Sequence, residues 1–240
     1  MSDDTRDADM ASETAAAQRP VTTIDFFGMY LAHDAFERDL KRLARAVAAR
    51  RTGDPGVTAG WETLLRQLNR HHSTEDEVLW PTVREAIESP DDLKILDAME
   101  AEHERVDELL DRVEAALAGA RESLGADIEA LQTALGAHLR HEEQVALPLI
   151  DRTVGAAGWA AFGREMRKRN GLLAVTEYLP WVLDDAAGEE KGKMLGLLPS
   201  PVRLMYRMIL RPRYERSRSS WVADRIGSNG TVDRHESSPL

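Results

Sequence analysis

The sequence predicts an all-α protein, an up-down antiparallel four-helix bundle with extra C-terminal helices. Two observations carry this. Apolar residues recur in alternating steps of three and four along four long segments, roughly 22–51, 58–88, 91–119 and 122–153, which is the period of a helix with one inward face. The breaks between the segments are short, and short connections between long helices favour antiparallel neighbours.

In the first segment the stripe runs Phe26, Met29, His33, Phe36, Leu40, Leu43, Val47. A turn of Gly53, Asp54, Pro55 and Gly56 follows. The second stripe is Leu64, Leu68, His71, Glu75, Val78. Ser89-Pro90-Asp91-Asp92 then reads as a helix start, with Ser as N-cap, Pro in the first position and acids in the first turn. The third stripe is Leu96, Met99, His103, Val106, Leu110, Val113, Leu117, and Ala118-Gly119-Ala120 marks its end. The fourth is Leu124, Ile128, Leu131, Leu135, His138, Glu142, Val145, Leu149, with Gly155 closing the bundle.

The expected division is a disordered leader over 1–20, the bundle over 21–154, a helical extension over 155–218 and a disordered tail over 219–240. Within the extension, 157–169 reads as a shorter helix, and LLAVTEYLPWVL within 172–185 is apolar enough to need a partner surface. Residues 201–211 read as a basic amphipathic helix, with Arg203, Arg207 and Arg211 on one face and Leu204, Met205, Met208 and Ile209 elsewhere.

Composition narrows the chemistry. There is no Cys among the 240 residues, so disulfides, thiolate metal sites and cysteine nucleophiles are excluded, and a metal must be held by His and carboxylates. The net charge of −11 argues against a nucleic-acid binder. That charge is uneven: residues 191–240 carry ten Lys and Arg against four Asp and Glu, a surplus of six positive charges, which leaves −17 on residues 1–190. The basic segment Arg203–Arg218 therefore has two readings. It folds back on the acidic bundle, the favoured one, or it binds an anionic membrane surface or nucleic acid. The first ten residues lack an apolar core of a secretory signal, and no apolar run is long enough to span a membrane. A cytoplasmic protein is the expectation.

Every one of the four stripes contains a histidine, and two contain a glutamate one turn later. Six polar groups converging in one core would overwhelm a net folding stability of about 5–15 kcal/mol unless something neutralised them. A metal ion does that, because neutral imidazoles and carboxylates are its ligands. The levels agree as well. His33, His71 and His103 lie about a dozen residues into their helices and His138 slightly further, so at about 1.5 Å per residue all four fall near mid-bundle. The second segment reads His71-x3-Glu75-x5-Pro81 and the fourth His138-x3-Glu142-x5-Pro148. Two helical hairpins of one design suit a dinuclear site bridged by the two carboxylates. His72 breaks the symmetry, since its counterpart is Leu139, and it shares a helix face with Glu75.

Residues His33, His71-His72-Ser-Thr-Glu75, Glu102-His103-Glu104 and His138-Leu-Arg-His141-Glu142-Glu143 resemble the hemerythrin-like (HHE cation-binding) family over about 22–153. The run HHSTEDEVLWP is especially typical. The resemblance implies two non-haem iron ions joined by carboxylates and an oxo or hydroxo bridge. It makes His33, His71, His72, His103 and His138 terminal ligands, and Glu75 and Glu142 bridges. Oxygen-carrying members have a further histidine one turn before His103, where this chain has Met99; His72 is the candidate replacement. The long tail is absent from the minimal family domain, although similar tails occur in actinobacterial relatives. Two six-coordinate ions filled by five imidazoles, two bridging carboxylates and one bridging solvent keep one position open, as binding of O2, peroxide or NO requires.

His141, one turn from His138, reads as an outer neighbour or surface residue, and Glu100 as part of a solvated face. Tyr30 reads as core, and His235 falls in the tail. The functional expectation is a di-iron protein that binds or decomposes O2, hydrogen peroxide or NO, as carrier, sensor or peroxide-removing protein. The alternatives are a ferritin-like iron oxidase or storage protein, which needs more carboxylates and paired Glu-x-x-His motifs, and a metal-free helical interaction module.

Overall fold

The computed structural model describes residues 19–119 and 122–222, and every regular element among them is helical. The expected leader and tail lie outside these residues, apart from Arg19, Pro20 and the last helical turn to Val222.

Helix α1 is Phe27–Ala48, starting later than periodicity suggests. The β-branched run Val21-Thr22-Thr23-Ile24 resists helix, and Asp151 captures it instead. One Asp151 oxygen accepts from the Thr23 amide at 2.9 Å, and the other from the Thr23 hydroxyl at 2.6 Å and the Ile24 amide at 2.9 Å. Helix α2 is Pro55–Thr74, continued by a π-turn Glu75–Leu79 and by Trp80–Ala86. Pro55 and Gly56 thus belong to its first turn rather than to the connection, where Arg50 takes the left-handed conformation (φ 56°). Helix α3 is Pro90–Ala118; Ser89 caps it by accepting from the Asp91 amide, and Asp91 and Asp92 complement the dipole of its first turn. Helix α4 is Leu124–His141, continued by a π-turn Glu142–Ala146 and by Leu147–Thr153.

The two π-turns begin at the two seam glutamates and end two residues before Pro81 and Pro148. Proline lacks an N–H and its ring collides with the carbonyl four residues back. Widening the preceding turn relieves both problems, and the Trp80 amide donates to Glu75 O and the Leu147 amide to Glu142 O, five residues back. The extra residue shifts the inward face by one position. Leu79 and Ala146 are buried where regular periodicity names Val78 and Val145, which are only half-buried.

Helix α1 packs beside α2 and α4, α3 lies against α4, and the end of α2 meets α3. A polar layer divides the apolar core in two. Leu40, Leu43, Leu64, Val113 and Leu131 are among the residues on one side, and Phe26, Leu79, Trp80, Leu96 and Ile150 among those on the other.

The extension starts with α5, Gly155–Leu173, whose backbone leaves the helical conformation at Gly171, and runs on through a π-turn Ala174–Tyr178 and Leu179–Val182. Helix α6 is Gly188–Gly196; α7 is Ser200–Met205, a π-turn Tyr206–Leu210 and Arg211–Val222. Here too each π-turn ends two residues before a proline, Pro180 or Pro212. The apolar segment finds its partner surface: Leu179, Trp181, Val182 and Leu183 join the bundle core with Tyr206 and Leu210 of α7. Helix α7 does fold back, resting on α2. The charges at the clamp run opposite to the expected sense, because bundle arginines hold extension acids. Arg42 donates to Asp184 at 2.7 Å and to Asp185 at 2.5 Å, Arg218 of α7 binds the same two acids, and the Trp181 indole donates to Asp39 at 2.7 Å.

Candidate metal centre

All seven residues singled out from the sequence meet in the polar layer. Donor atoms of His33, His71 and Glu142 lie within 4.8 Å of one another, and so do those of His72, His103 and His138. Glu75 touches both groups: one carboxylate oxygen is 3.2 Å from His71 Nε2, the other 3.6 Å from His103 Nε2. Glu142 lies 3.1 Å from His33 Nε2. His72 is not an exposed neighbour. It is 4 % exposed, and its ring stacks on His103 with centroids 4.0 Å apart.

The hydrogen bonding has a direction. Nε2 of His33, His71, His103 and His138, both nitrogens of His72 and all four carboxylate oxygens of Glu75 and Glu142 are buried without a hydrogen-bond partner. The outward nitrogens of three rings are held. His33 Nδ1 meets Glu143 at 2.9 Å, His103 Nδ1 meets Asp76 at 2.8 Å, and His138 Nδ1 meets Glu102 at 3.0 Å. A carboxylate on Nδ1 fixes the tautomer that leaves the Nε2 lone pair facing inward, the arrangement of a metal-ligating imidazole. Ten buried ligand atoms that form no hydrogen bond fit a bound cation.

The carboxylates behave unequally. Burial and the neighbouring Glu142 push Glu75 well above the usual carboxylate range. Burial works on Glu142 in the same direction, but the rings of His33, His71 and His138 hold it below that range. Burial opposes charge on His33 as well, yet Glu142 and Glu143 lift it to about 9. His71, buried and beside His33, falls to about 3. Two carboxylates sharing a dry site cannot both ionise by themselves, whereas a cation between them reverses that.

Asp76, Glu102 and Glu143 were given no role from the sequence, although all three stand inside the runs that carry the family resemblance. A signal was there: each is the immediate neighbour of a seam residue, Glu75, His103 or Glu142. Two of these three pairings cross the hairpins. Asp76, after Glu75 of the first hairpin, orients His103 of the second; Glu143, after Glu142 of the second, orients His33 of the first. His141 lies outside the layer, one-third exposed, on the second oxygen of Glu102 at 2.8 Å. Glu100 faces outward to Arg84. The Tyr30 hydroxyl, one turn before His33, is buried without a partner, and Arg19 covers its ring. His235 lies outside the described residues.

Inward imidazoles and carboxylates on four antiparallel helices define a cation-binding four-helix bundle. The family model described as the hemerythrin HHE cation binding domain matches residues 28–150, just over half of the chain, and the chain belongs to that family. No curated protein and no solved structure matches it.

Proposed function

We propose that the layer holds two iron ions bridged by Glu75 and Glu142, with His33, His71, His72, His103 and His138 as terminal ligands, and that it binds or decomposes a small oxidant: O2, hydrogen peroxide or NO. The observation that carries this reading is the pair of adjoining three-donor groups with Glu75 reaching both. A bound iron pair supplies redox and Lewis-acid chemistry. The chain's own part is to aim the imidazoles through Asp76, Glu102 and Glu143, and to keep water out with apolar core above and below. A ferritin-like oxidase fits less well, because among the described residues the layer receives the carboxylates of Glu75 and Glu142, while Asp76, Glu102 and Glu143 bind histidine. The orphaned donor atoms speak against a metal-free module.

Anaerobically reconstituted protein is expected to take up about two irons per chain and to develop ferric charge-transfer bands in the near ultraviolet. One iron or fewer at saturation would overturn the dinuclear reading. Titration with O2, NO and peroxide then separates reversible binding from peroxide turnover. His72→Leu, which copies position 139, should lower iron affinity and alter the spectrum; unchanged affinity and spectrum would remove His72 from the ligand set.

A further inference from the structure

Among the described residues, nothing covers the outward face of α7. Tyr206 and Leu210 point into the core, and Val202 and Met205 are half-buried beside them. On the opposite side Leu204 is 62 %, Met208 69 % and Ile209 58 % exposed, with Leu197 just ahead of the helix at 72 %. Apart from Val21, these are the large apolar residues left in solvent among the described residues. They are interleaved with Arg203, Arg207 and Arg211 at four-residue spacing, and residues 197–214 hold four arginines and no Asp or Glu. Helix α7 is thus two-faced in an unusual way: one apolar side is docked, and the other carries both apolar side chains and cations.

We propose that this face seats the protein, by α7, on an anionic lipid bilayer. Three features select that occupant. The face is the convex side of one helix, which suits a fluid interface; a peptide partner would need a groove to enter. The arginines flank the apolar side chains, so Leu204 and Met208 can enter the acyl boundary while the guanidinium groups reach lipid phosphates on long stems. The charge is segregated, with −17 on residues 1–190 and a positive surplus at this end, so an anionic surface repels the bundle and admits the chain in one orientation. A second copy of the chain is disfavoured, because a two-fold contact through this face would set its arginines against their own counterparts. Among the described residues Arg207 has no acid partner, whereas Arg211 is held by Glu215 at 2.7 Å; Arg203 and Arg207 are therefore the lead cations.

The test is co-sedimentation of the full iron-loaded chain with vesicles of phosphatidylglycerol and phosphatidylcholine, against vesicles of phosphatidylcholine alone. Binding is expected to the anionic vesicles only and to weaken with salt. Arg203→Gln with Arg207→Gln should lower partitioning about 30-fold, about fivefold for each charge, and Leu204→Ser or Met208→Ser roughly tenfold each. All four positions are exposed, so melting temperature and iron content should stay as in the parent and report that the variants fold. No binding to anionic vesicles, or binding that these substitutions leave unchanged, would overturn the proposal. So would self-association, seen by sedimentation velocity and removed by the same substitutions, in a chain that ignores vesicles; the face would then join protein to protein.

Discussion

A clamp of ion pairs and the polar layer between the helices differ in what they leave unmet. In the clamp that ties the extension to α1, Asp39 accepts from Trp181, Arg38 and Arg42, and Asp184 and Asp185 take Arg42 and Arg218. Only one nitrogen each of Arg38 and Arg218 lacks a partner there. In the layer between the four helices, ten nitrogen and oxygen atoms converge without forming a hydrogen bond, His33 Nε2 and Glu142 lying 3.1 Å apart. Polar clusters inside the fold thus carry opposite meanings. Polar groups that satisfy each other are a joint between parts of the fold, and polar groups that converge unsatisfied are a seat for something else.

The comparison breaks first at the bridges. Glu75→Ala or Glu142→Ala should abolish binding of the metal pair, read as iron per chain, because each removes an anionic group that faces the shared space. If both variants keep a full metal complement, the layer is not the seat. In the clamp the corresponding change is Asp39→Ala. It leaves Arg42 and the Trp181 indole short of an acceptor and should cost about 3–5 kcal/mol by denaturant melts, while iron content stays as in the parent. A loss of iron without a loss of stability would exchange the roles of the two clusters.

Metal removal sharpens the contrast. Metal held only by the native state adds about 4 kcal/mol at a thousandfold excess over Kd. The apo protein should therefore melt well below the holo protein yet keep its helical circular dichroism, since the apolar cores on both sides of the layer remain. An apo melting temperature equal to the holo one would mean that the donor atoms satisfy each other after all. The smallest effect is expected at His141→Ala. Its ring rests on Glu102, whose other oxygen still holds His138, so iron content should hardly change. A loss as large as that from either glutamate would put His141 inside the layer.

Much of the fold was legible because the four seams repeat at helical period and the breaks carry proline, glycine and an N-cap serine. Straight periodicity erred where a proline widened the helix. Leu79 replaced Val78 and Ala146 replaced Val145 on the inward face, although the six-residue interval from Glu75 to Pro81 and from Glu142 to Pro148 was plain in the sequence. The candidate ligands were legible for a thermodynamic reason: histidine and glutamate on an apolar seam need a partner wherever the seams meet. The carboxylates that aim them were not, since Asp76, Glu102 and Glu143 are ordinary acids until another helix brings a histidine within 3 Å.

The sequence by itself determined the all-α class, the four seams and the residues that converge on the centre, because helical period and burial cost are local properties of the chain. Only the tertiary structure decided three things. It assigned each carboxylate to one histidine. It reversed the sense of the charges at the clamp, where Arg42 of the bundle holds Asp184 and Asp185 of the extension. It also chose which side of α7 would be covered, burying Tyr206 and Leu210 and leaving Leu204, Met208 and Ile209 in solvent. Each of these depends on which surfaces meet across long stretches of chain, and no period along a single helix records that.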